Sequence, residues 1–352
     1  MDRPSKSGVR EIARRAGVSL GTVDRALHGR QEVSEVTRER VLAVARELGY
    51  QPNLTARALA AGKSTIRIGI CIPREIRFFY DQVRDGILEE IQRYSHLGLE
   101  ALYEPVPSLG VGEAAAMRRM MKQDVRAILL TPGHPAQLAP LIDEAEKKHN
   151  IRVVCLASDD STSARSTAIS VEPRLNGTLA AELMARITPH AARVAVFTGM
   201  LATEDHARKV QGFVSGFQRE SPAGQIVAVV EDHQEERQTR RKCAQLLKAQ
   251  PDLAGIYIST ANCLPVCETI EAHSAAGRVR VIATDLFVDA VPFFQRGVIA
   301  ASIYQHPYLQ GQTAVRLLVD HFLQGAPMPN AHYLNPSIVL KANLPLFREI
   351  AG

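Results

Sequence analysis

The sequence predicts two structural classes in one chain: a small all-α domain at the amino terminus, followed by a large α/β domain. Up to Tyr50, apolar residues recur at helical spacing within short segments. From Ile66 onward, apolar runs alternate with amphipathic stretches, as strands and helices do in α/β proteins. The chain of 352 residues is also too long for one small core, so more than one domain is expected.

Charge is distributed unevenly between these two parts. Residues 1–63 contain 12 Lys and Arg against 7 Asp and Glu, whereas the other 289 residues contain 30 of each. The whole net charge of +5 therefore lies in the amino-terminal part. This concentration is typical of a surface that neutralises nucleic-acid phosphates, and a generally solvated surface would spread the excess over the chain.

The first two helices are predicted within VREIARRAGVSLGTVDRALHG, residues 9–29. Gly17 is expected to end the first helix, and Ser19 to cap the second by accepting a backbone N–H. Two short helices joined by such a turn allow the second to lie in the major groove of DNA. An ordinary helical hairpin is the alternative interpretation.

A third helix is predicted over residues 34–49, with Ser34 as its N-cap. After Pro52, the segment that starts at Asn53 predicts a helix of about two turns, which is too short to be stable without a packing partner. Within it, Ala56 is small enough for two copies to approach closely. Leu59 is an apolar side chain of the type that wedges a minor-groove step. A simple linker is the alternative.

The large domain is predicted from nine apolar strand-like runs separated by amphipathic helices. This alternation favours parallel sheets covered by helices on both faces, and leaves open whether there is one sheet or two. Ligands of such sheets bind at the carboxyl ends of strands, so the polar and aromatic residues just past the strands are candidate binding residues. They are Phe79, Tyr80, Ser158, Asp159, His206, Lys209, Asn262, Asp285 and Gln305.

Catalysis and metal binding find little support in the sequence. No GxSxG, HExxH, GxxxxGK[ST] or GxGxxG motif stands in the required context, so no catalytic residue is predicted. The run 204–206 (Glu-Asp-His) suggests acid–base or metal chemistry, but three consecutive side chains point in different directions. Cys263 and Cys267 have no matching His or Cys pair, so neither a metal site nor a cofactor is expected. The five cysteines are expected to be reduced and buried.

The chain shows no membrane or export signal. No apolar run approaches the length of a membrane span, and residues 1–8 lack the apolar core of a signal peptide. These features predict a cytoplasmic protein without a membrane partner. The absence of a heptad-repeat tail after the strand-like NPSIVLKANLPL favours a dimer over a tetramer.

Four segments resemble the lactose-repressor (LacI/GalR) family of bacterial transcription regulators: GVSLGTVDRALHG, VSEVTRERV, LGYQPN and NLTARAL. The resemblance implies a helix-turn-helix headpiece over 1–52, a hinge helix and linker over 53–63, and an effector-binding and dimerisation domain over 64–352. It further implies a periplasmic-binding-protein fold of two doubly wound subdomains with the ligand between them. The N-subdomain would span approximately 66–170 and 304–333, and the C-subdomain approximately 171–303 and 334–352.

The same resemblance implies a homodimeric, ligand-responsive repressor of a carbohydrate-utilisation operon. It would bind a palindromic operator, associate with the nucleoid when bound there, and be released by a sugar, polyol or sugar acid. A corepressor-dependent regulator of the same family uses the same parts and stays open. A solute-binding protein for transport or chemotaxis is the other alternative, against which the basic headpiece argues.

The resemblance also implies which residues contact DNA, and two departures affect them. Leu20 and Gly21 occupy the first recognition positions, and Arg25 is suited to bidentate contact with guanine. Gly21 offers no side chain where the family reads a base, and Asp24 replaces a usual serine. In the large domain, Lys209 stands where the family usually has an arginine, so a bidentate contact is lost. The expected DNA-binding residues are Ser19, Leu20, Gly21, Thr22, Arg25, His28, Asn53, Ala56 and Leu59.

Overall fold

The computed structural model describes residues 8–27, 33–48 and 65–347, which form a three-helix headpiece and a large α/β body. The two are described separately. Four expected DNA-binding residues lie outside the described residues, and so does the hinge helix expected from residue 53. These four are His28, Asn53, Ala56 and Leu59.

The headpiece contains helices α1 (Val9–Ala16), α2 (Leu20–Leu27) and α3 (Glu35–Glu47). Gly17 ends α1 in the left-handed conformation with φ 64°, which a residue without a Cβ adopts at little cost. Ser19 Oγ accepts the N–H of Thr22 at 3.1 Å, and Ser34 caps α3 in the same way. The predicted end of α1 at Gly17 and the predicted caps Ser19 and Ser34 are therefore confirmed, while the end predicted for the third helix at residue 49 lies outside the described residues.

Small side chains build the core of the headpiece. The buried apolar residues are Ile12, Ala13, Ala16, Val23, Ala26, Val41 and Ala45. Because most of them are alanines, the three helices approach closely and bury little apolar area per residue. Packing of all three helices is thus needed to hold α2 in place.

The large body contains two six-stranded sheets, each covered by helices, so the question of one sheet or two is answered. Sheet one has the strand order β11-β5-β4-β3-β1-β2, and its members are β1 (Ile66–Cys71), β2 (Leu99–Tyr103), β3 (Ala127–Leu130), β4 (Arg152–Leu156), β5 (Thr167–Val171) and β11 (Ala331–Leu334). Sheet two has the order β12-β10-β9-β8-β6-β7, and its members are β6 (Arg193–Thr198), β7 (Gln225–Glu231), β8 (Leu253–Ile258), β9 (Arg280–Thr284), β10 (Ile299–Tyr304) and β12 (Ser337–Val339). All pairings are parallel except that of β10 with β12.

The chain passes between the sheets after β5, after β10 and after β11. We call the part built on sheet one lobe one, and the part built on sheet two lobe two. The helices of the large body are α4 (Arg77–Arg93), α5 (Glu113–Met120), α6 (Pro135–Lys148), α7 (Pro173–Ile187), α8 (Glu204–Glu220), α9 (Glu236–Ala249), α10 (Leu264–Ala272), α11 (Val291–Gln295) and α12 (Pro307–Gln324). None of the described helices is both long and apolar enough to span a lipid bilayer.

Strands β2 and β11 were not among the predicted runs. Each lies at an edge of sheet one, and its side chains are mostly half-buried or exposed. Edge strands of this kind carry no continuous apolar signal, because only part of their surface faces the core. The five cysteines are buried and free, as predicted.

Two glycines allow α7 and α8 to pack backbone against backbone. A Cβ on Gly177 would collide with the carbonyl oxygen of Lys209, and a Cβ on Gly212 would collide with that of Arg174. This contact fixes the position of the first turns of α8. Because those turns carry several charged side chains of the candidate site, the contact between α7 and α8 also fixes the positions of these side chains.

Candidate functional site

A cavity lies at the carboxyl ends of both sheets, where open parallel sheets bind ligands. Its empty space, counted out to the mouth and including the open solvent there, is about 400 Å³. Lobe one contributes what we call the apolar wall: Ile76, Phe79, Tyr80, Leu109, Thr131, Ala157 and Ser158. Lobe two and the crossing after β10 contribute what we call the charged wall: Thr203, Asp205, His206, Lys209, Gln234, Thr260, Ala261, Asp285 and Gln305.

An ion pair at the start of α8 dominates the charged wall. Lys209 Nζ lies 2.7 Å from Asp205 Oδ2, and the two side chains are only 3% and 6% exposed. They stand one helical turn apart, the spacing at which side chains of a helix meet. Burial raises the pKa of Asp205, and the neighbouring Lys209 ammonium acts against that rise. The other oxygen, Asp205 Oδ1, is buried without a hydrogen-bond partner in the described structure.

Asp285 connects the cavity to a crossing between the lobes. Its carboxylate accepts hydrogen bonds from the backbone N–H of Gln305 at 3.0 Å and from its side-chain Nε2 at 2.7 Å. Gln305 follows β10, where the chain returns to lobe one. Burial raises the pKa of Asp285 to about 6, and the nearby Lys209 charge limits the rise.

His206 is a neutral member of the charged wall. Its Nδ1 lies 3.0 Å from the backbone nitrogen of Met200 and 3.2 Å from the Met200 carbonyl oxygen, so the ring is held by the backbone of one residue. Burial, with the nearby Lys209 charge, lowers the pKa of His206 to about 3. The imidazole can therefore contribute hydrogen bonding but no charge at neutral pH. Within the described ranges, no three His, Cys, Asp or Glu side chains form a cluster suited to a metal ion.

Four buried polar atoms around the cavity lack a hydrogen-bond partner in the described structure. They are Thr131 Oγ1, Ser158 Oγ, Asp205 Oδ1 and Thr260 Oγ1. Buried polar groups without partners are uncommon, because each costs the free energy of its lost hydration. Their convergence from both lobes on one space indicates a site for a ligand with several hydrogen-bonding groups.

Strained backbone is concentrated around the same cavity. Among the described residues, eight other than glycine have positive φ, and four of these line the cavity: Ile76, Ala157, Gln234 and Asp285. The β-branched Ile76, at φ 46°, is the least expected of them. Left-handed conformations at such residues cost about 1–3 kcal/mol each and cluster at functional sites. They provide support for a binding function that is independent of the side chains.

Seven of the nine side chains predicted from strand ends line the cavity: Phe79, Tyr80, Ser158, His206, Lys209, Asp285 and Gln305. The rings of Phe79 and Tyr80 meet edge to face, with centroids 5.1 Å apart. Both rings are almost fully buried, so they form a fixed aromatic surface.

Asp159 and Asn262 do not line the cavity, and the sequence-based assignment needs correction there. Asp159 accepts a hydrogen bond from Arg165 Nη2 at 2.7 Å within a buried ion pair. Asn262 donates to Thr239 Oγ1 at 3.2 Å inside lobe two. Adjacent residues after a strand point in different directions, so of the neighbours at 158 and 159 only Ser158 reaches the cavity.

Sequence reasoning missed several lining residues, notably Thr131, Asp205, Gln234 and Thr260. The sequence indicates a role for Asp205 only within a possible acid–base or metal cluster at 204–206. Its position four residues before Lys209 was the available signal, because that spacing places both side chains on one helix face. The hydroxyl residues follow strands whose ends carry no other distinctive feature.

In the headpiece, the first residues of α2 form an exposed surface. Ser19, Leu20 and Gly21 are exposed, and the Leu20 side chain is 49% accessible although it is apolar. Arg25 folds back along the helix, so that a Cβ on Gly21 would lie 3.9 Å from its Nη2. Thr22 is half-buried, and its hydroxyl lies 2.9 Å from that of Ser19. An exposed leucine beside a guanidinium suits contact with base edges and methyl groups.

Family comparisons match both parts of the chain. Residues 68–327 match the Periplasmic binding protein domain, and residues 9–53 match "Bacterial regulatory proteins, lacI family". The second match starts with α1 of the headpiece and ends at residue 53, where the expected hinge segment begins. The chain belongs to the lacI family of bacterial regulatory proteins.

Named relatives of this lacI-family chain include Catabolite control protein A of Priestia megaterium, which is 28% identical over 204 residues. That alignment covers 58% of this chain and 58% of the relative, so it spans less than two thirds of the relative's length. HTH-type transcriptional regulator RegA of Clostridium saccharobutylicum is 40% identical over 80 residues, covering 23% of this chain and 24% of RegA.

Solved structures are similar in fold to the large body of this lacI-family chain. GanP, a glucose-galactose binding protein from Geobacillus stearothermophilus, aligns with a TM-score of 0.74 and 24% identity, covering 80% of this chain and 99% of GanP. An ABC transporter solute-binding protein from Burkholderia graminis, in complex with D-arabinose, aligns with a TM-score of 0.72 and 21% identity, covering 79% and 96%. At these identities the likeness shows the fold.

Proposed function

We propose that the protein is a ligand-responsive, sequence-specific DNA-binding regulator, acting as a homodimeric repressor of a carbohydrate-utilisation operon. The observation that supports this most is a polar cavity with four unpartnered buried atoms, in the same chain as a lacI-family headpiece. A sugar or sugar-like effector would occupy the cavity and release a palindromic operator. The protein would act in the cytoplasm, bound to the nucleoid through that operator.

The proposed DNA contacts lie on the exposed start of α2. Leu20 would contact base methyl groups, and the Arg25 side chain would swing away from α2 to contact guanine. Ser19 and Thr22 would donate hydrogen bonds to phosphates. Gly21 would contribute close approach of the backbone rather than a side-chain contact. From the sequence alone, His28, Asn53, Ala56 and Leu59 complete the proposed contacts.

The proposed coupling uses the two walls of the cavity. A ligand bonded to both walls changes the free energy of one lobe orientation relative to another, and the orientation sets the spacing of the two chains' residue 53–62 segments on DNA. A coupling of about 1–3 kcal/mol is enough to change operator occupancy several-fold. A corepressor that tightens DNA binding would use the same parts with the opposite sign.

A solute-binding protein is the second candidate function. The similarity of the large body to sugar-binding proteins such as GanP favours it for that part of the chain. The lacI-family headpiece favours a regulator, because a solute-binding protein has no use for a basic DNA-reading domain.

DNA selection with the full chain separates these candidates. We expect selection from a random duplex library to enrich a palindromic sequence, and addition of the effector to release it. Leu20→Ala and Arg25→Ala should each weaken binding of that sequence at least fivefold, by about 1–3 kcal/mol per lost base contact. Val36→Ala, at a 76% exposed site on α3, is the matched control and should not weaken it. No enriched sequence from the wild-type chain would overturn the regulator proposal.

A further inference from the structure

The charges of the cavity are already paired with each other. The ammonium of Lys209 lies 2.7 Å from the Asp205 carboxylate, and both side chains are nearly excluded from solvent. Asp285 is the remaining carboxylate, and both of its oxygens accept hydrogen bonds from Gln305. His206 is neutral, because it is buried beside the Lys209 ammonium. The charged wall therefore offers no unpaired cation to a ligand, and carries an excess of one carboxylate.

We propose that the cavity selects an uncharged, polyhydroxylated ring, and that Asp205, paired with Lys209, is the specificity-determining residue that excludes carboxylate and phosphate ligands. This deepens the proposed function, since it takes the cavity as the effector site. It narrows the effector from a sugar, polyol or sugar acid to the uncharged members of that group.

The unpartnered atoms match a hydroxyl-rich ligand. Asp205 Oδ1 is an acceptor, and the hydroxyls of Thr131, Ser158 and Thr260 donate or accept. Lys209 has three N–H donors, of which the pair with Asp205 uses one. A ligand hydroxyl both donates and accepts, so a ring with several hydroxyls satisfies all of these atoms. An ionised carboxylate or phosphate oxygen only accepts, so wherever it replaces a hydroxyl facing Asp205 Oδ1 it leaves that oxygen without a donor.

Repulsion adds to this mismatch. An anion near Lys209 also approaches Asp205 and Asp285, and water is excluded around all three side chains. An anion that uses the other N–H donors of Lys209 shares the ammonium with Asp205. An anion that displaces Asp205 leaves a buried carboxylate unpaired, so the net gain in binding free energy is small.

Matched ligands test this proposal with the full-length chain. Calorimetry would compare neutral probes (D-glucose, D-galactose, D-xylose, L-arabinose, D-ribose, myo-inositol and D-glucuronamide) with anionic ones (D-glucuronate, D-galacturonate, glucose 6-phosphate and ribose 5-phosphate). Glucuronamide and glucuronate form a size-matched pair that differs in charge. Wild type is expected to bind at least one neutral probe, and its anionic counterpart at least thirtyfold more weakly, about 2 kcal/mol.

Variants at position 205 separate charge from shape. Asp205→Asn removes the competing carboxylate, so the affinity for the anionic counterpart should rise at least tenfold while that for the neutral probe falls. Asp205→Glu keeps the charge and should keep the preference for neutral probes. Circular dichroism checks that each variant is folded, and Asp205→Ser replaces Asp205→Asn if the latter is not.

Three outcomes overturn the proposal: an anionic probe that binds wild type as well as its neutral counterpart, a folded Asp205→Asn with an unchanged preference, or no binding of any probe. DNA release distinguishes these from failure of the proposed function. If an anionic ligand releases the selected DNA, the result supports the regulator proposal and contradicts the exclusion of anionic ligands. If a neutral ligand binds without affecting DNA binding, the result supports that exclusion and contradicts the regulatory coupling.

Discussion

The two walls of the cavity differ in the kind of interaction they offer. Every carboxylate, ammonium and imidazole among the described lining residues belongs to the charged wall, whereas the apolar wall has aliphatic and aromatic surface with three hydroxyls, those of Tyr80, Thr131 and Ser158. The charged wall is also largely satisfied internally, through the ion pair of α8 and the Asp285–Gln305 bonds. Lobe two therefore presents polar groups that are held in place by each other, and lobe one closes the opposite side of the cavity with mostly apolar surface.

Contacts at the rim hold the two walls together. Thr203 Oγ1 donates to the carbonyl of Gly133 at 2.8 Å, and the N–H of Ser161 donates to Glu204 Oε2 at 3.1 Å. Each bond joins lobe two to lobe one. From this difference we infer that lobe two orients the ligand and selects its charge, whereas both lobes are needed to enclose it.

Breaking the ion pair of the charged wall is expected to have the largest effect on stability. Lys209→Met would leave two buried carboxylates without the ammonium beside them, so the free energy of unfolding should fall by about 3–5 kcal/mol. The double variant Asp205→Asn/Lys209→Met removes both charges of the pair and should recover most of that loss. Urea unfolding at neutral pH measures both. A single variant as stable as the double would contradict the ion-pair account.

Displacing α8 would test whether the charged wall depends on its close packing with α7. Gly177→Ala forces a methyl group against the Lys209 carbonyl, and overpacking of this kind costs about 1–3 kcal/mol. Ligand affinity should fall as well, since the clash moves the turn that carries Lys209. Gly21→Ala is the matched helical control, because its new methyl group has space and should stabilise α2 by up to about 1 kcal/mol. Thermal unfolding of Gly177→Ala at the wild-type temperature would show the prediction wrong.

His206 and Asp285 of the charged wall are expected to change the free energy of unfolding in opposite directions as the pH falls. Burial lowers the pKa of His206 from 6.5 to about 3 and raises that of Asp285 from 3.8 to about 6. As the pH falls from about 7.5 to 5, the unfolded chain protonates His206 and the folded one does not, which costs the folded state about 2 kcal/mol. Over that range the folded chain protonates Asp285 and the unfolded one does not, which favours the folded state by about 1 kcal/mol.

Single variants should separate these opposite contributions. Relative to wild type, His206→Asn should gain about 2 kcal/mol of stability on acidification from about pH 7.5 to 5, and Asp285→Asn should lose about 1 kcal/mol. Urea unfolding across that pH range measures the two differences. If both variants follow the wild-type profile, the two side chains do not titrate as their burial requires.

Removing an unpartnered hydroxyl of the apolar wall is expected to have the smallest effect. Ser158→Ala and Thr131→Val delete atoms that have no hydrogen-bond partner, so the stability of the ligand-free protein should be unchanged or slightly higher. Ligand affinity should fall about three- to tenfold, by roughly 1 kcal/mol for each lost hydrogen bond. Calorimetry and thermal unfolding together check this contrast. Loss of stability without loss of affinity would mean that these hydroxyls serve the fold instead.

The sequence predicted features that depend on local chemistry. The caps Ser19 and Ser34 and the left-handed Gly17 follow from helix-end geometry, and the buried strands follow from continuous apolar runs. The positions of Lys209 and Asp285 near the cavity follow from the rule that strand ends converge. These inferences need only neighbouring residues.

Features that depend on direction or on distant partners were not predictable. Asp159 turned away because Arg165 offers it a buried ion pair, and nothing in the local sequence announces that partner. Strand β11 joins sheet one beside β5 through a pairing across more than half of the large body. The alternative of one large sheet was open for the same reason, because strand order is set by tertiary packing.

The placement of Asp205 and Lys209 on one turn of α8 also affects how ligand preference can change over time. Every Asp codon becomes an Asn codon by a single nucleotide change, so one mutation would free the ammonium for an acidic ligand. No other strand or loop has to move, because both side chains stand on the same rigid helix. A single mutation could thus change the ligand preference of this cavity from neutral sugars to sugar acids, while the DNA-contacting residues of the headpiece stay the same.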